Sequence, residues 1–390
     1  MRMGVVGGIM SATGPISITL LTPAFPVLSD VFAANDEAIT GAASLFFVGF
    51  AAAHLICGAL SDGLGRRTVG IGFFGLYVLA GMAACFASTM EVFLAARFVQ
   101  GIGASAGISI SRALVRDLFV GQQSARVVNL MYIVIGIGPA LAPTVGSLLL
   151  GAFGYQSLFV FMIMHGSAMI FFLLYMIPDT VSVDARRIRF GLLMRNFTQL
   201  LNNRAFLLPT LAISGVSGAL YGQSAIVPFL LMSDIGLSPV QFGLAMFVHA
   251  GCHVSGSFSA KFWLRRRAAR DLIPWAQATI AVSALWLFIA MMTRQPTVFN
   301  VIAPLSLAAF GAAHSYPAFV TAGFSNFPKI AGAAASLVGF MQMGAGFLVG
   351  LAAGMIGLPN VALGVAVTVS LLIASASGCA WHLLSRDDPC

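Results

Sequence analysis

Charge is what this sequence has least of. Of its 390 residues 8% are charged and 59% are hydrophobic, whereas a soluble globular domain carries roughly 25% charged side chains. So few charges cannot cover the surface of a soluble protein. Cysteine is also scarce, and five scattered residues are too few for a secreted disulfide scaffold. The apolar excess excludes a disordered chain. No G-x-x-x-x-G-K-[ST] string occurs, so the chain does not hydrolyse nucleotide itself. No H-E-x-x-H string and no deep pair of carboxylates is present, which leaves an intramembrane hydrolase without its chemistry. The chain is therefore not expected to be an enzyme, and no cofactor or metal is expected.

What it does have is long apolar runs. They lie at about 5–32, 38–60, 68–88, 92–116, 125–150 and 155–178, then at about 205–232, 239–263, 272–292, 298–323, 331–356 and 360–384. At ~20 residues per span these are about twelve membrane-crossing helices. They lack the alternation of a membrane barrel. The first is too long for a removable signal peptide, and it continues through Pro23 and Pro26 without a small-residue cleavage site. The expected fold class is an all-α membrane protein.

The basic residues orient the spans. With the N-terminus inside, the cytoplasmic segments hold Arg2, Arg66, Arg67, Arg112, Arg116, Arg126, Arg186, Arg187, Arg189, Arg195, Arg204, Lys261, Arg265, Arg266, Arg267, Arg270, Lys329 and Arg386, which is 18 of the 20 Lys and Arg. Arg294 alone falls in an outer loop and Arg97 within span four. That bias is the positive-inside pattern and puts both termini in the cytoplasm. The net charge of +8 then answers to topology and anionic headgroups, and no nucleic-acid partner is implied.

The longest stretch outside the spans runs from Asp179 to Arg204. It divides the chain into an N-terminal six-helix bundle (1–180), a cytoplasmic linker (181–204) and a C-terminal six-helix bundle (205–390). In the linker Ile188, Phe190, Leu192, Leu193, Phe197, Leu200 and Leu201 interleave with arginines. That suits either a helix lying in the membrane interface or a polar linker with apolar anchors. The halves read as a worn repeat: Gly58-Ala-Leu-Ser-Asp62-Gly-Leu-Gly65-Arg66-Arg67 follows span two, and Gly256-Ser-Phe-Ser-Ala260-Lys261-Phe-Trp-Leu264-Arg265-Arg266-Arg267 follows span eight, 198 positions on. Paired six-helix halves are a transporter design.

In the first of these strings the glycines let helix ends approach, and Asp62 can pair with Arg66 or Arg67. The string resembles motif A of the major facilitator superfamily. Leu94-x-x-Arg97-x-x-Gln100-Gly101-x-Gly103-Ala104 resembles its motif B, and Gly138-Pro139-x-x-Ala142-Pro143-x-x-Gly146 resembles the antiporter motif C of its drug exporters. Pro23-Ala-Phe-Pro26-Val-Leu and Ser238-Pro239-x-x-Phe242-Gly243 are similar to the bicyclomycin- and chloramphenicol-resistance (Bcr/CflA) branch. The resemblance implies two pseudo-symmetric six-helix bundles working by alternating access. It makes Gly58, Asp62, Gly65, Arg66 and Arg67 a cytoplasmic conformational latch, and gives Gly138, Pro139, Pro143 and Gly146 the antiporter role.

Arg97 lies six residues into span four, ~9 Å below Glu91 along the axis. A charge at such depth is costly, so its default reading is a functional group facing a cavity; the alternative is an Arg that snorkels or ties up carbonyls of span one. In the exporters it resembles, an acid in span one commonly meets that arginine, and the matching position here is Thr19. The acids Asp30, Asp36, Glu37, Asp62, Glu91, Asp117, Asp179, Asp184, Asp234, Asp271, Asp387 and Asp388 all lie at or beyond span ends. Proton coupling then falls to Asp30 at the outer end of span one, or to histidines, whose unperturbed pKa near 6.5 suits a proton carrier. His54, His165, His249, His253 and His314 lie in spans. His314 and His249 are the preferred carriers, and His165 is not expected to contribute to ligand affinity. His314, with Ser315, Tyr316 and Pro317, is expected to interrupt span ten.

The expected ligand set is Thr19, Arg97, Tyr221, Gln223, His249, His314, Tyr316 and Gln342. The partners are a small-molecule substrate, the lipid bilayer and, where transport is coupled, protons; a monomer is expected. Two functions fit: proton-driven export of amphiphilic antimicrobials across a bacterial inner membrane, or import or uncoupled passage of a polar metabolite such as a nucleoside.

Overall fold

The computed structural model describes residues 2–119, 121–176, 190–293, 295–325, 327 and 330–384. Among these the chain is helical throughout its ordered elements and forms no strand. Span one is broken into α1 (Arg2–Ser11), α2 (Thr13–Thr19), a 3-10 turn (Thr22–Ala24) and α3 (Phe25–Val31). Proline explains the break, because it brings no N–H and crowds the preceding turn. Pro23 cannot donate to the Thr19 carbonyl, and the Thr22 hydroxyl does so instead at 2.8 Å.

α4 (Asp36–Leu64) starts at Asn35, whose Oδ1 accepts from Ala38 N at 2.9 Å. It meets α5 (Arg66–Cys85) through Gly65 alone, at φ 93°, a conformation that disfavours any side chain. Span four is α6 (Met90–Ala104) and α7 (Ala106–Leu118). Then come α8 (Gly121–Phe153), α9 (Gln156–Tyr175) and α10 (Phe190–Leu201). The second half has α11 (Arg204–Pro228), extended by a π segment to Asp234, and α12 (Pro239–Trp263). α13 (Ile273–Thr293), α14 (Val298–Ser325) and α15 (Ala331–Ile356) follow. The last span is α16 (Pro359–Ala362), a π segment and α17 (Thr368–Leu384).

Ten segments among the described residues are long and apolar enough to cross a membrane. The other two predicted spans are also helical. α8 contributes the shorter apolar stretch Leu141–Phe153, and α12 is made more polar by Gln241, His249, His253 and three serines. The protein is thus a multi-pass, all-α membrane protein with twelve spans. Span ten is not interrupted: α14 runs unbroken through His314, Ser315, Tyr316 and Pro317. Proline is tolerated inside membrane helices where neighbours satisfy the freed backbone groups.

The chain forms two compact units, Met1–Arg195 and Asn196–Cys390. The division falls within α10; residues 177–189, which take in the first part of the predicted linker with Arg186, Arg187 and Arg189, lie outside the described residues, as do Arg294, Lys329 and Arg386. α10 buries Phe197 and Leu200 and leaves Leu192 and Met194 exposed. In the first unit span two packs on four, three on four, three on six and one on five. In the second, span eight packs on ten, nine on ten, nine on twelve and seven on eleven. Each pair is the earlier one advanced by six. Large apolar side chains such as Leu79, Met164, Leu285 and Leu348 stay exposed, as a bilayer solvent requires.

Candidate functional site

The loop between α4 and α5 is an ion-pair cluster centred on Arg66, which is 3% exposed. Its Nη2 pairs with Asp62, its Nε donates to Asp117 Oδ2 at 3.0 Å, and its Nη1 donates to Ser61 Oγ at 2.7 Å. Ser61 in turn donates to the Gly58 carbonyl at 2.8 Å. One guanidinium therefore ties the end of span two to the end of span four. Arg67 is partly exposed beside it. Asp117 was not foreseen from sequence, because its partner lies 51 positions away.

The motif B glycines seat α6 between two helices. A Cβ on Gly101 would lie 2.2 Å from the Phe46 carbonyl oxygen, and one on Gly103 would lie 2.5 Å from Tyr77 N. That approach brings Arg97 over the Phe46 ring, 4.5 Å from its centroid. Arg97 is fully buried; its Nη1 donates to Gln100 Oε1, while Nε and Nη2 have no hydrogen-bond partner among the described residues. Thr19 is buried and donates to the Pro15 carbonyl at 2.9 Å. Beside them, Ser17 and Tyr77 hydroxyls bond at 2.6 Å. A Cβ on Gly146 would stand 2.2 Å from the Leu20 oxygen, so α8 lies hard against span one. Pro143 is buried and accepts from Ser147 Oγ at 2.8 Å. The side chain of Pro139 lies outside the described residues.

The second unit brings the expected residues into two separate groups. Gln223 Nε2 lies 3.2 Å from His249 Nε2, and Ser306 Oγ lies 3.5 Å from His249 Nδ1, so α11, α12 and α14 meet there. Gln342 Nε2 donates to the Tyr316 hydroxyl at 2.9 Å and to Ser217 Oγ at 3.1 Å, joining α15, α14 and α11. His314 stands apart from both. Its Nδ1 faces the Phe310 carbonyl at 2.9 Å, its Nε2 faces Ser259 Oγ at 3.0 Å, and its ring meets Trp275. Tyr221 is half-buried, and Asp30 is exposed at the end of α3. The serines at 217, 259 and 306 carry no sequence signal; only the packing shows which helix faces they share. The Ser238-Pro239 string is a helix start: Ser238 Oγ accepts from Gln241 N, Gln241 Oε1 accepts from Ser238 N, and Pro239 takes the first helical position.

A cavity of about 270 Å³ lies in the first unit, walled by Ile9, Ala12, Ile16, Val134, Ile137, Gly138 and His165. Its polar group is His165, whose Nε2 is 2.9 Å from Thr13 Oγ1. Of the residues singled out from sequence for function, Gly138 alone lines it. Among the described residues no group of three metal-ligating side chains occurs.

Residues 8–351 match the Major Facilitator Superfamily profile. The chain belongs to that superfamily. It is 26% identical over 347 residues to Multidrug resistance protein D of Escherichia coli K12, covering 88% of this chain and 86% of that one. It is 26% identical to Multidrug resistance protein MdtL of a Shewanella species, covering 84% and 82%. A further relative, the uncharacterized MFS-type transporter YdgK of Bacillus subtilis, is 27% identical over 64% of this chain and 63% of its own length. Among solved structures, the xylose transporter XylE from E. coli shares the fold, with a TM-score of 0.71 at 14% identity over 99% and 97% of the two chains. The protein is accordingly a transporter and not an enzyme.

The first unit holds a buried cation, and within the spans no described acid lies deep enough to answer it. Arg stays protonated and can bind an anion or a π face, but cannot give up a proton. The second unit holds neutral groups that both donate and accept.

Proposed function

We propose that this transporter exports small amphiphilic organic compounds from a bacterial cell across the inner membrane, by alternating access and in exchange for protons. Both termini lie in the cytoplasm in this reading, as the distribution of Lys and Arg argues. The observation that carries export is the run of relatives named multidrug resistance proteins, aligned along more than four fifths of their own lengths. The seating of Gly138 and Gly146 against span one supports it. Thr19, Arg97, Tyr221, Gln223, His249, Tyr316 and Gln342 are its ligand candidates, with the Arg66 cluster as latch.

Accumulation of chloramphenicol in a strain lacking its own exporters tests this. Cells making the protein should hold less drug than control cells, and a protonophore should erase the difference. Import of a polar metabolite is the second reading, favoured by Thr19 where an exporter would carry an acid. It requires instead that the same cells take up labelled nucleoside faster than controls.

A further inference from the structure

A transporter that exchanges protons for drug needs a group that takes a proton on one side and releases it on the other. The described acids sit at span ends, and Arg97 cannot deprotonate. The span histidines remain; in the first unit His54 and His165 each set one ring nitrogen against a hydroxyl, of Ser109 at 3.1 Å and of Thr13 at 2.9 Å. His314 and His253 each set a ring nitrogen against a backbone carbonyl, of Phe310 at 2.9 Å and of Ala309 at 3.2 Å. A carbonyl only accepts, so that nitrogen must keep its hydrogen. At His249 both ring nitrogens face side chains that can donate or accept, Gln223 from α11 and Ser306 from α14.

We propose that His249 is the proton carrier of this protein, with Gln223 as its positioning residue; this rests on the proton-coupled reading above. In the neutral ring, the Gln223 amide nitrogen donates to Nε2, and Nδ1–H points to Ser306 Oγ. When a proton from water adds to Nε2, that nitrogen becomes a donor. The Gln223 amide turns over to present its oxygen, and the same pair of helices stays bridged. Release to water on the other side reverses the turn. No bond between heavy atoms changes, and the proton is the whole balance.

The surroundings limit the load to one. His253 lies one turn along α12 from His249, and two imidazolium ions that close in an apolar bundle repel. The other titratable or charged groups on the packed elements are Cys252 and the terminal Lys261 on α12, Arg204 and Tyr221 on α11 with the exposed Asp234 at the end of its extension, and Tyr316 and His314 on α14. His314 is turned to Ser259 and Trp275. Among the described residues no carboxylate bonds to His249.

Reconstituted protein decides the matter by two measurements. The first is the ratio of chloramphenicol flux driven by a pH gradient to chloramphenicol counterflow without one. In His249→Gln this ratio should fall at least about tenfold, and in His314→Gln by less than about threefold. A ratio that survives in His249→Gln, or falls as far in His314→Gln, overturns the proposal. The second needs no drug: protein labelled with 15N-histidine is titrated by NMR between about pH 5 and 8. One ring signal, missing from His249→Gln, should move from neutral to protonated positions, with its midpoint displaced in Gln223→Leu. A His249 signal that stays neutral throughout, or ignores Gln223→Leu, overturns the proposal even if the drug is never transported. Failure of the exporter reading shows separately, as absence of chloramphenicol flux in the unaltered protein.

Discussion

The two units pack their helices in the same pairs yet differ in how they place their arginines. In the first, Arg66 joins Asp62 and Asp117 at one end, and Arg97 lies buried over Phe46. In the second, Arg270 at the start of span nine buries two guanidinium nitrogens, and the helices are bridged by Gln, His, Tyr and Ser. The repeat therefore preserves what helix packing needs and leaves the polar positions free to diverge. Among the described residues the arginine buried deepest within a span, Arg97, belongs to the first unit. Groups that can change protonation or reverse a hydrogen bond occur in both, as His54 with Ser109 and His165 with Thr13 in the first and His249 with Gln223 and Ser306 in the second.

The difference is sharpest at the loops after spans two and eight. Ala260 stands where the repeat places Asp62, and Arg265 is exposed. Arg66→Ala would leave Asp62 and Asp117 facing each other without their cation. Asp62 is half exposed, so the cost in stability is held to about 1–3 kcal/mol. Transport should fall at least about tenfold while ligand affinity changes less than about threefold, because the cluster only ties helix ends. Arg265→Ala should leave both untouched. Flux and binding measured on the same preparation decide this, and loss of binding in a folded Arg66→Ala protein would move the cluster into the ligand site.

Arg97 sharpens the comparison in a second way, through the sign of its effect. A buried cation with two unpaired nitrogens is a burden on stability, and replacing such a group by an apolar one of similar size is often neutral or stabilising by ~1–4 kcal/mol. Arg97→Met forfeits the Phe46 contact and strands Gln100 Oε1, so the single change should be near neutral. Arg97→Met with Gln100→Met should raise the melting temperature, while both proteins lose transport. A drop in melting temperature in both would make Arg97 a structural brace, and the charge asymmetry between the units would lose its functional meaning.

The sequence made the fold legible because spans announce themselves by length and apolarity, and because Pro23, Pro26 and Gly65 act locally. Asp62 with Arg66 was equally readable, being one helical turn apart. What sequence could not show was which faces meet. Asp117, Ser306 and Ser217 became visible only when spans far apart in the chain packed together. His314 illustrates the converse: its neighbourhood of Ser, Tyr and Pro reads as a break, but the helix continues and the ring is turned to Ser259, away from Gln342.

The smallest effect is expected at His165, where the two units bridge their equivalent helices differently. Spans one and six are joined by Thr13 and His165, whereas spans seven and twelve are joined by the Ser370 hydroxyl donating to the Gly215 carbonyl at 2.7 Å. A side chain that merely completes such a bridge is replaceable. His165→Ala removes one hydrogen bond, a net loss of about 1 kcal/mol, and widens a cavity already open beside it. The melting temperature should therefore fall slightly, with ligand affinity and flux within about twofold of the unaltered protein. The cavity makes this a demanding control, since its apolar walls and single ring nitrogen could hold a small amphiphile. His165→Phe probes that directly by filling the space while removing the polar atom. Equal affinity in the alanine and phenylalanine proteins leaves the cavity a packing gap. A loss confined to the phenylalanine protein would mean that ligand occupies the cavity, and Gly138 and His165 would then belong to the ligand site.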